Sequence, residues 1–383
     1  MSAQPPTVRA YLMAAGLGTR LYPLTGLTSK PMVPILNRPV MEHLLHLLRR
    51  HGVIEIAANL HYHPDKIRAY FDDGAQCGVQ LRYNLEERLL GTAGGADAFR
   101  EFLSGSTFLV MSGDGLTDID LSAFLAAHRA SGGIATMAVK EVDDPSLYGV
   151  VVHDDDMRVV GFQEKPPREE ALSTLCNCGI YAFEPQIFDY IEPGTFVDWA
   201  KDVFPALLDG GAPFHCWELE SYWNDVGNIE QYRLSNFDAL LGRVALDVPG
   251  REIAPRVWVG QGTEIEAGVR LEAPILLGAG CLIESGAELI GPLIIGDGCV
   301  VERGAVLEGV IHWDGAKAGR DSRLAGSILG RNVVVHHEAV VHEDAVIGDR
   351  SEVAPHTRVE AGARLEPRTS AGPGAFDAGD GKE

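Results

Sequence analysis

Basic residues are in short supply: 32 lysines and arginines stand against 54 aspartates and glutamates, for a formal charge of −22. A surface of that sign cannot replace the counterions of a nucleic acid, which excludes a general nucleic-acid binder. It does not exclude a small anion held in a local basic pocket. Long apolar runs are missing too. No stretch of about 18 uncharged apolar residues occurs, so no membrane span is expected. The opening MSAQPPTVRA lacks the charged-then-apolar layout of a secretory leader. Cysteine is scarce, six in 383 residues, too few for a disulfide framework and in no zinc spacing. Together these absences point to the reducing cytoplasm.

What remains has an ordinary globular composition, and the length suits two domains. The two halves follow different periods. Up to about residue 235, apolar runs alternate with helix-like segments. Val8–Ala14, Val53–Leu60, Thr107–Met111 and Ile134–Lys140 read as strands, while Met41–His51, Pro64–Phe71 and Leu121–Ala130 read as helices. That order predicts an α/β fold with a mostly parallel, Rossmann-like sheet. Ligands in such sheets sit beyond the carboxyl ends of the strands, so the loops after Met13 and Met111 are the first places to look.

The second half repeats every six residues. Val259, Ile265, Leu271, Leu277, Ile283, Leu289, Ile295, Val301 and Leu307 form one run. Leu329, Val335, Val341, Ile347, Val353, Val359 and Leu365 form another. A hexapeptide period is the mark of a parallel β-helix. Gly260, Gly278, Gly296, Gly330 and Gly348 follow aliphatic positions at steps of 18, 18, 34 and 18. Eighteen is three hexads, one turn of a three-sided coil. The step of 34 predicts a slipped register, with Glu308–Ile328 as a coil carrying an irregular loop. Cys281 and Cys299 are one turn apart and should stack about 4.8 Å from each other as unpaired core residues. The expected boundaries are a catalytic domain over 1–241, a linker over 242–250, a β-helix over 251–367 and a disordered tail over 368–383.

The first loop reads Ala14-Ala15-Gly16-Leu17-Gly18-Thr19-Arg20-Leu21, with Lys30 following in Ser29-Lys30-Pro31. Glycines there would let backbone N–H groups approach phosphate, and a guanidinium could add to the phosphate oxygens. The loop is not a Walker A, since no Gly-Lys-Ser/Thr closes it. Nor is it a dinucleotide fingerprint, since Leu21 holds the third glycine position.

The string GLGTRLYPLTGLTSKPMVPI resembles the signature of the sugar-1-phosphate nucleotidylyltransferases. LLGTAGG (Leu89–Gly95), SGDGLTDID (Ser112–Asp120), YGVV (Tyr148–Val151) and FQEKP (Phe162–Pro166) resemble the same family in the same order. So do NCGIY (Asn177–Tyr181), KDVFP (Lys201–Pro205) and YWNDVG (Tyr222–Gly227). A left-handed β-helix is a familiar appendage of that family. The resemblance implies transfer of a nucleotidyl group from a nucleoside triphosphate to a sugar 1-phosphate, with release of pyrophosphate and with Mg2+ as cofactor.

It also implies residue roles. Asp114 and Asp225 would hold the metal. Arg20 would take the β and γ phosphates, Lys30 would lie near the α-phosphate, and Lys165 would pair with the sugar phosphate. Ala14, Ala15, Gly16, Gly18, Thr19, Gly91, Thr92, Ala93 and Gly94 would bind the nucleotide. Gly149, Glu164, Asn177 and Lys201 would bind the sugar phosphate. The sequence departs from the family pattern at Arg88, where proline is common, at Cys178, where a small Ala or Thr is usual, and at Ala200, where Ser or Glu often stands. Asp118 and Asp120 suit turn or cap roles better than metal binding. The pair His61 and His63 and the cluster His336, His337 and His342 read as exposed side chains, lacking a third ligand at metal spacing, while these three with His356 are the crowded candidates for an acyltransferase base.

As a set, the motifs most resemble bacterial mannose-1-phosphate guanylyltransferases with a β-helix tail, implying GTP and mannose 1-phosphate. Thymidylyl- and uridylyltransferases acting on glucose 1-phosphate are the alternatives. Two readings from other classes are a second, acyltransferase activity in the β-helix and a catalytically silent regulatory relative. Exposed coil ends need caps, so a homo-oligomer through the β-helix is expected.

Overall fold

The computed structural model describes residues 7–372. The chain runs through β1 (Arg9–Met13), a hairpin of β2 (Pro34–Ile35) and β3 (Arg38–Pro39), α1 (Val40–Arg50), β4 (Glu55–Leu60), α2 (Pro64–Phe71) and β5 (Gln80–Leu85). Then come α3 (Gly91–Asp97), α4 (Arg100–Leu103), β6 (Phe108–Ser112), β7 (Leu116–Thr117), α5 (Leu121–Ser131) and β8 (Ala135–Glu141). They are followed by β9 (Gly149–His153), β10 (Val159–Glu164), β11 (Leu175–Phe183), α6 (Phe204–Asp209), β12 (Phe214–Glu218), β13 (Trp223–Asn224) and α7 (Ile229–Leu240). Two compact units result: residues up to 17 with 40–225, and residues 18–39 with those from 226 onward. This division differs from one placed between 241 and 251, because the segment 18–39 and α7 group with the β-helix.

The first unit is built on one sheet ordered β10-β9-β11-β6-β1-β4-β5, with β8 pairing β11 and β12. Strands β6, β1, β4 and β5 are parallel, in the expected βαβ order. The central strands β6, β1 and β4 are buried on both faces, as crossover helices require, with Ala10, Tyr11 and Leu12 fully inaccessible, while the edge strand β5 buries only Leu81. Beyond β6 the direction reverses, because β11 pairs antiparallel with β6, β8 and β9. No α-helix separates β8, β9, β10 and β11 in sequence, so they join by short connections that suit antiparallel pairing. Helix α1 buries Val40, Met41, Leu44, Leu45 and Leu48 and carries Arg49 and Arg50 in its last turn. Helix α5 is started by Asp120, whose carboxylate accepts from the Ser122 and Ala123 amides at 3.0 Å. Asp118 accepts from the Tyr222 amide at 2.8 Å. Asp120 therefore serves the cap role expected of it, whereas Asp118 ties its loop to the distant Tyr222.

In the second unit the hexads form three parallel sheets, the stacked arrangement of a left-handed β-helix. One ladder stacks Val259, Leu277, Ile295, His312, Leu329, Ile347 and Leu365. A second carries Ile265, Ile283, Val301, Ala318, Val335, Val353 and Ala371. A third carries Leu271, Leu289, Leu307, Leu324, Val341 and Val359. The corner at Gly278 has no room for a side chain: a Cβ there would lie 2.4 Å from Asp297 Oδ1. Cys281 and Cys299 are buried and unpaired, their thiols donating to the carbonyls of Gly296 and Trp313 at 3.1 and 3.2 Å.

Two expectations are corrected. Glu308–Ile328 holds no irregular loop. It is a full coil, with strands at Ile311–His312, Lys317–Ala318 and Arg323–Ala325 in register with both neighbours. The two missing residues are single deletions at two corners, where Leu307 to His312 and Leu324 to Leu329 are steps of five rather than six. Because His312 and Ala318 occupy aliphatic positions, the coil was invisible to a search for hexad aliphatics. The β-helix also runs further than 367: Ser370–Ala371 pairs in parallel with Glu352–Val353. The start of the stretch expected to be disordered is thus a strand, and residues 373–383 of that stretch lie outside the described residues.

Candidate functional site

The carboxyl ends of the four parallel strands gather polar groups in the first unit. Strand β1 ends at Met13, beside Ser112 at the end of β6. The loops Ala14–Gly16 and Gly113–Gly115 therefore leave the sheet side by side, and the Gly113 amide donates to the Met13 carbonyl at 3.0 Å. On the other flank, Asn59 near the end of β4 accepts from the Ala14 amide at 2.8 Å. The Asn59 Nδ2 donates to Glu86 Oε1 at 2.7 Å, and Glu86 Oε2 accepts from the Leu90 amide at 3.0 Å. This buried relay holds the glycine loop and the start of α3 in fixed relation. The sequence reading missed both Asn59 and Glu86. Their only signal was a polar residue at the end of each strand. Ala14 is also changed in meaning, since its amide is spent on Asn59.

Asp114 lies in the loop after β6 and accepts from the Ser112 hydroxyl at 2.7 Å. Strand β7, two residues on, pairs antiparallel with β13, with Leu116 opposite Asn224 and Thr117 opposite Trp223. Continued by one residue, that register sets Asp225 opposite Gly115, next to Asp114. The register thus brings the backbones of two aspartates, more than a hundred residues apart in sequence, onto neighbouring segments. Among the described residues no three His, Cys, Asp or Glu side chains cluster as a metal site. Two carboxylates suit magnesium, which usually takes one or two from protein and fills its shell with phosphate and water oxygens. Of the histidines, His61 and His63 are half-buried rather than exposed; His61 pairs with the Glu86 carbonyl, His336 lies near Glu352 and His356 near Glu338.

Of the residues expected to bind the sugar phosphate, Gly149, Glu164, Lys165 and Asn177 lie on or beside the neighbouring strands β9, β10 and β11. Gly149 stands opposite Glu164 across β9 and β10. The Lys165 amide donates to the Tyr148 carbonyl at 3.0 Å, and the Lys165 ammonium lies 3.7 Å from Glu164 Oε1. Cys176 pairs with Val150 on β9, placing Asn177 in the next position. Asn177 donates to the Tyr181 hydroxyl at 2.9 Å and accepts from the Gly179 amide at 2.8 Å, across an irregularity in β11. Trp223 was not singled out from sequence. Its ring packs edge-on against Tyr148 at 5.4 Å and its Nε1 donates to the Cys178 carbonyl at 2.9 Å. It therefore connects this cluster to the strand that leads into Asp225.

The start of α3 is stapled to the turn before α6. The Ala93 and Gly94 amides both donate to the Val197 carbonyl at 3.0 Å, so these two are already occupied. The Thr92 hydroxyl donates to Asp198 Oδ2 and accepts from the Trp199 amide, each at 2.9 Å. Asp198 Oδ1 accepts from the Ala200 and Lys201 amides at 3.0 and 3.2 Å. Asp198 thus joins Thr92 to the turn that carries Lys201, a link no sequence motif announced.

Arg20 and Lys30 belong to the second unit. Gly18 adopts φ 64°, and a Cβ there would lie 2.9 Å from Lys30 Cβ. The Thr25 hydroxyl closes the loop on the Gly18 carbonyl at 2.9 Å. Arg20 is exposed and Lys30 is buried, within one short folded segment.

Polar loops gathered at the carboxyl ends of parallel strands are the arrangement of ligand-binding α/β folds. The family model described as nucleotidyl transferase matches residues 9–240, and the chain belongs to that family. It is 40% identical over 285 residues to a UTP–glucose-1-phosphate uridylyltransferase of Synechocystis, covering 70% of this chain and 74% of that one. It is 33% identical over 287 residues to a mannose-1-phosphate guanylyltransferase of Mycobacterium tuberculosis, covering 70% and 79%. In fold it is similar to a Bacillus anthracis chain described as a candidate glucose-1-phosphate thymidylyltransferase, solved with sucrose. The TM-score is 0.57 at 22% identity, covering 64% of this chain and 98% of that one.

Proposed function

We propose that the chain joins a nucleoside triphosphate to a sugar 1-phosphate. A phosphate oxygen of the sugar 1-phosphate attacks the α-phosphorus, the bond from that phosphorus to the β-phosphate oxygen breaks, and pyrophosphate leaves. No covalent enzyme intermediate is needed, so the protein's task is to position the reactants and neutralise charge. The observation that supports this reading is the β7–β13 register, which, continued by one residue, sets Asp225 opposite Gly115, the residue after Asp114 at the end of a parallel strand.

In this reading Asp114 and Asp225 hold Mg2+, which would offset charge on the phosphate oxygens. Arg20 stabilises the departing pyrophosphate and Lys30 acts on the α-phosphate. Lys165 and Lys201 bind the sugar phosphate. Gly149, Glu164 and Asn177 read the sugar, and a carboxylate and amide hydrogen-bonded to its hydroxyls reject a sugar that leaves them unpaired. The loops Ala14–Thr19 and Gly91–Gly94 bind the nucleotide. Retention of every one of these charged groups speaks against a silent regulatory relative.

For the substrate pair, the motif set and the mycobacterial relative favour GTP with mannose 1-phosphate. The higher identity to the cyanobacterial relative favours UTP with glucose 1-phosphate as a second reading. Pyrophosphate release in a grid of five NTPs against mannose, glucose and N-acetylglucosamine 1-phosphates separates them. The first reading expects the largest kcat/KM in the GTP–mannose cell, the second in the UTP–glucose cell, and silence throughout would sink both. We further propose a cytoplasmic homo-oligomer, which a solution mass equal to one chain would disprove.

A further inference from the structure

Within the second unit, the segment that carries Arg20 and Lys30 is fastened both to one wall of the β-helix and to α7. Four anchors are resolved. Asn37 Nδ2 donates to the Ile295 carbonyl at 2.7 Å. Gly26 lies so close to Pro367 that a Cβ there would fall 2.6 Å from Pro367 Cγ. Asn236 on α7 accepts from the Leu36 amide at 3.1 Å and donates to the Pro34 carbonyl at 3.3 Å. Tyr232, one turn earlier on α7, donates its hydroxyl to the same Pro34 carbonyl at 2.8 Å.

The Tyr232 hydroxyl is itself an acceptor, taking the indole proton of Trp313 at 2.8 Å with the two rings edge-on. Trp313 sits at the place in its coil that glycine holds at Gly260, Gly278, Gly296, Gly330 and Gly348. It lies in the coil that a one-residue deletion precedes, between Leu307 and His312, and another follows, between Leu324 and Leu329. A bulky side chain replaces the corner glycine where the repeat is broken, and that side chain begins a buried relay from Trp313 through Tyr232 to Pro34. Four residues before Pro34 is Lys30, and Lys30 begins the turn whose carbonyl takes the Val33 amide at 3.1 Å.

We propose that this wall of the β-helix positions the triphosphate-binding segment. Trp313, Tyr232 and Asn37 act as positioning residues for Arg20 and Lys30, and the β-helix is part of the catalytic apparatus rather than a separate assembly module. The proposal rests on the reading that Arg20 and Lys30 bind the nucleoside triphosphate. Its chemistry is selective. Loosening the segment should weaken binding of the triphosphate and leave the sugar phosphate, whose residues belong to the first unit, nearly unaffected.

The test uses the full chain with Tyr232→Phe, Trp313→Phe and the double variant. Tyr232→Phe keeps the ring and removes both hydrogen bonds of the relay. Each single variant should raise KM for the NTP about five- to tenfold while KM for the sugar 1-phosphate moves less than about twofold. The double variant should match the worse single one, because the two residues act in one chain. Asn37→Gly, at a partly exposed residue whose φ of 64° glycine tolerates, removes the bond to Ile295 and should shift the same constant in the same direction. Melting curves that fall with both KM values unchanged would reduce the relay to a structural role and overturn the proposal. Arg20→Ala separates the two levels. If it raises KM for the NTP steeply while the relay variants do nothing, this proposal fails alone. If it has no effect, the functional reading fails and takes the proposal with it.

Discussion

Asp114 and Asp225 are the side chains on which the chemistry turns. Asp114→Asn keeps the shape and the Ser112 hydrogen bond within reach but removes a charge. The expected result is a fall in kcat of at least about a hundredfold with a smaller change in KM, since the lost interaction stabilises charge at the reacting phosphorus. Steady-state assays at saturating Mg2+ read this directly, and unchanged turnover would remove the metal assignment. The two aspartates were each legible from short motifs, whereas their adjacency was not. It depends on a two-residue strand pairing that no local pattern encodes. His312 is a second lesson at this scale. It replaces an aliphatic residue between Ile295 and Leu329 in the core ladder, and neither ring nitrogen has a hydrogen-bond partner among the described residues. Burial pushes its pKa from 6.5 down to about 3. The unfolded chain therefore takes up a proton below pH 6.5 that the folded chain refuses until about pH 3. The stability contribution is complete above pH 6.5 and is lost as pH falls, by about 1.4 kcal/mol per unit within that window. His312→Leu should flatten this part of the acid dependence in denaturant titrations between pH 7 and 5. A variant as acid-sensitive as the parent would show that other groups dominate.

Among elements, α3 and the turn before α6 behave as one piece because Asp198 serves both. Asp198→Ala removes acceptors from Thr92, Ala200 and Lys201 together. A cost of about 1–2 kcal/mol in stability is expected, as for loss of a helix cap, together with a raised KM for the sugar phosphate through Lys201. Urea melts and kinetics on the same sample check both, and a stability loss with an unmoved KM would detach Lys201 from the sugar phosphate. Elements themselves were largely readable. The helix Pro64–Phe71 and the hexad strands follow from periodicity, because each has one buried face with a strict spacing. The coil 308–328 was misread since two single-residue deletions and one histidine broke that spacing while leaving the hydrogen-bonded register intact. The reversal at β11 was missed because burial on both faces hides strand direction.

At the scale of the whole molecule, the sequence suggested a catalytic half followed by an appendage, and the contacts divide the chain otherwise. Residues 18–39, which hold Arg20 and Lys30, group with the β-helix. A signature motif can be recognised from its letters, but which wall supports it depends on residues such as Tyr232 and Trp313, far away in the chain. Gly18→Ala probes the segment from within. With φ at 64° and a Cβ only 2.9 Å from Lys30 Cβ, it should displace Lys30 and lower kcat/KM for the NTP about tenfold or more. Nucleotide titrations at fixed sugar phosphate would show it, and wild-type values would mean that the close approach of Gly18 to Lys30 is unimportant. The central claim is nucleotidyl transfer, and pyrophosphate release by the parent chain with Mg2+ and NTP, with and without sugar 1-phosphate, tests it most directly. The account predicts release only when a sugar 1-phosphate is present, one pyrophosphate for each NDP-sugar formed. Equal release without the sugar phosphate, or none with any sugar phosphate, would contradict it.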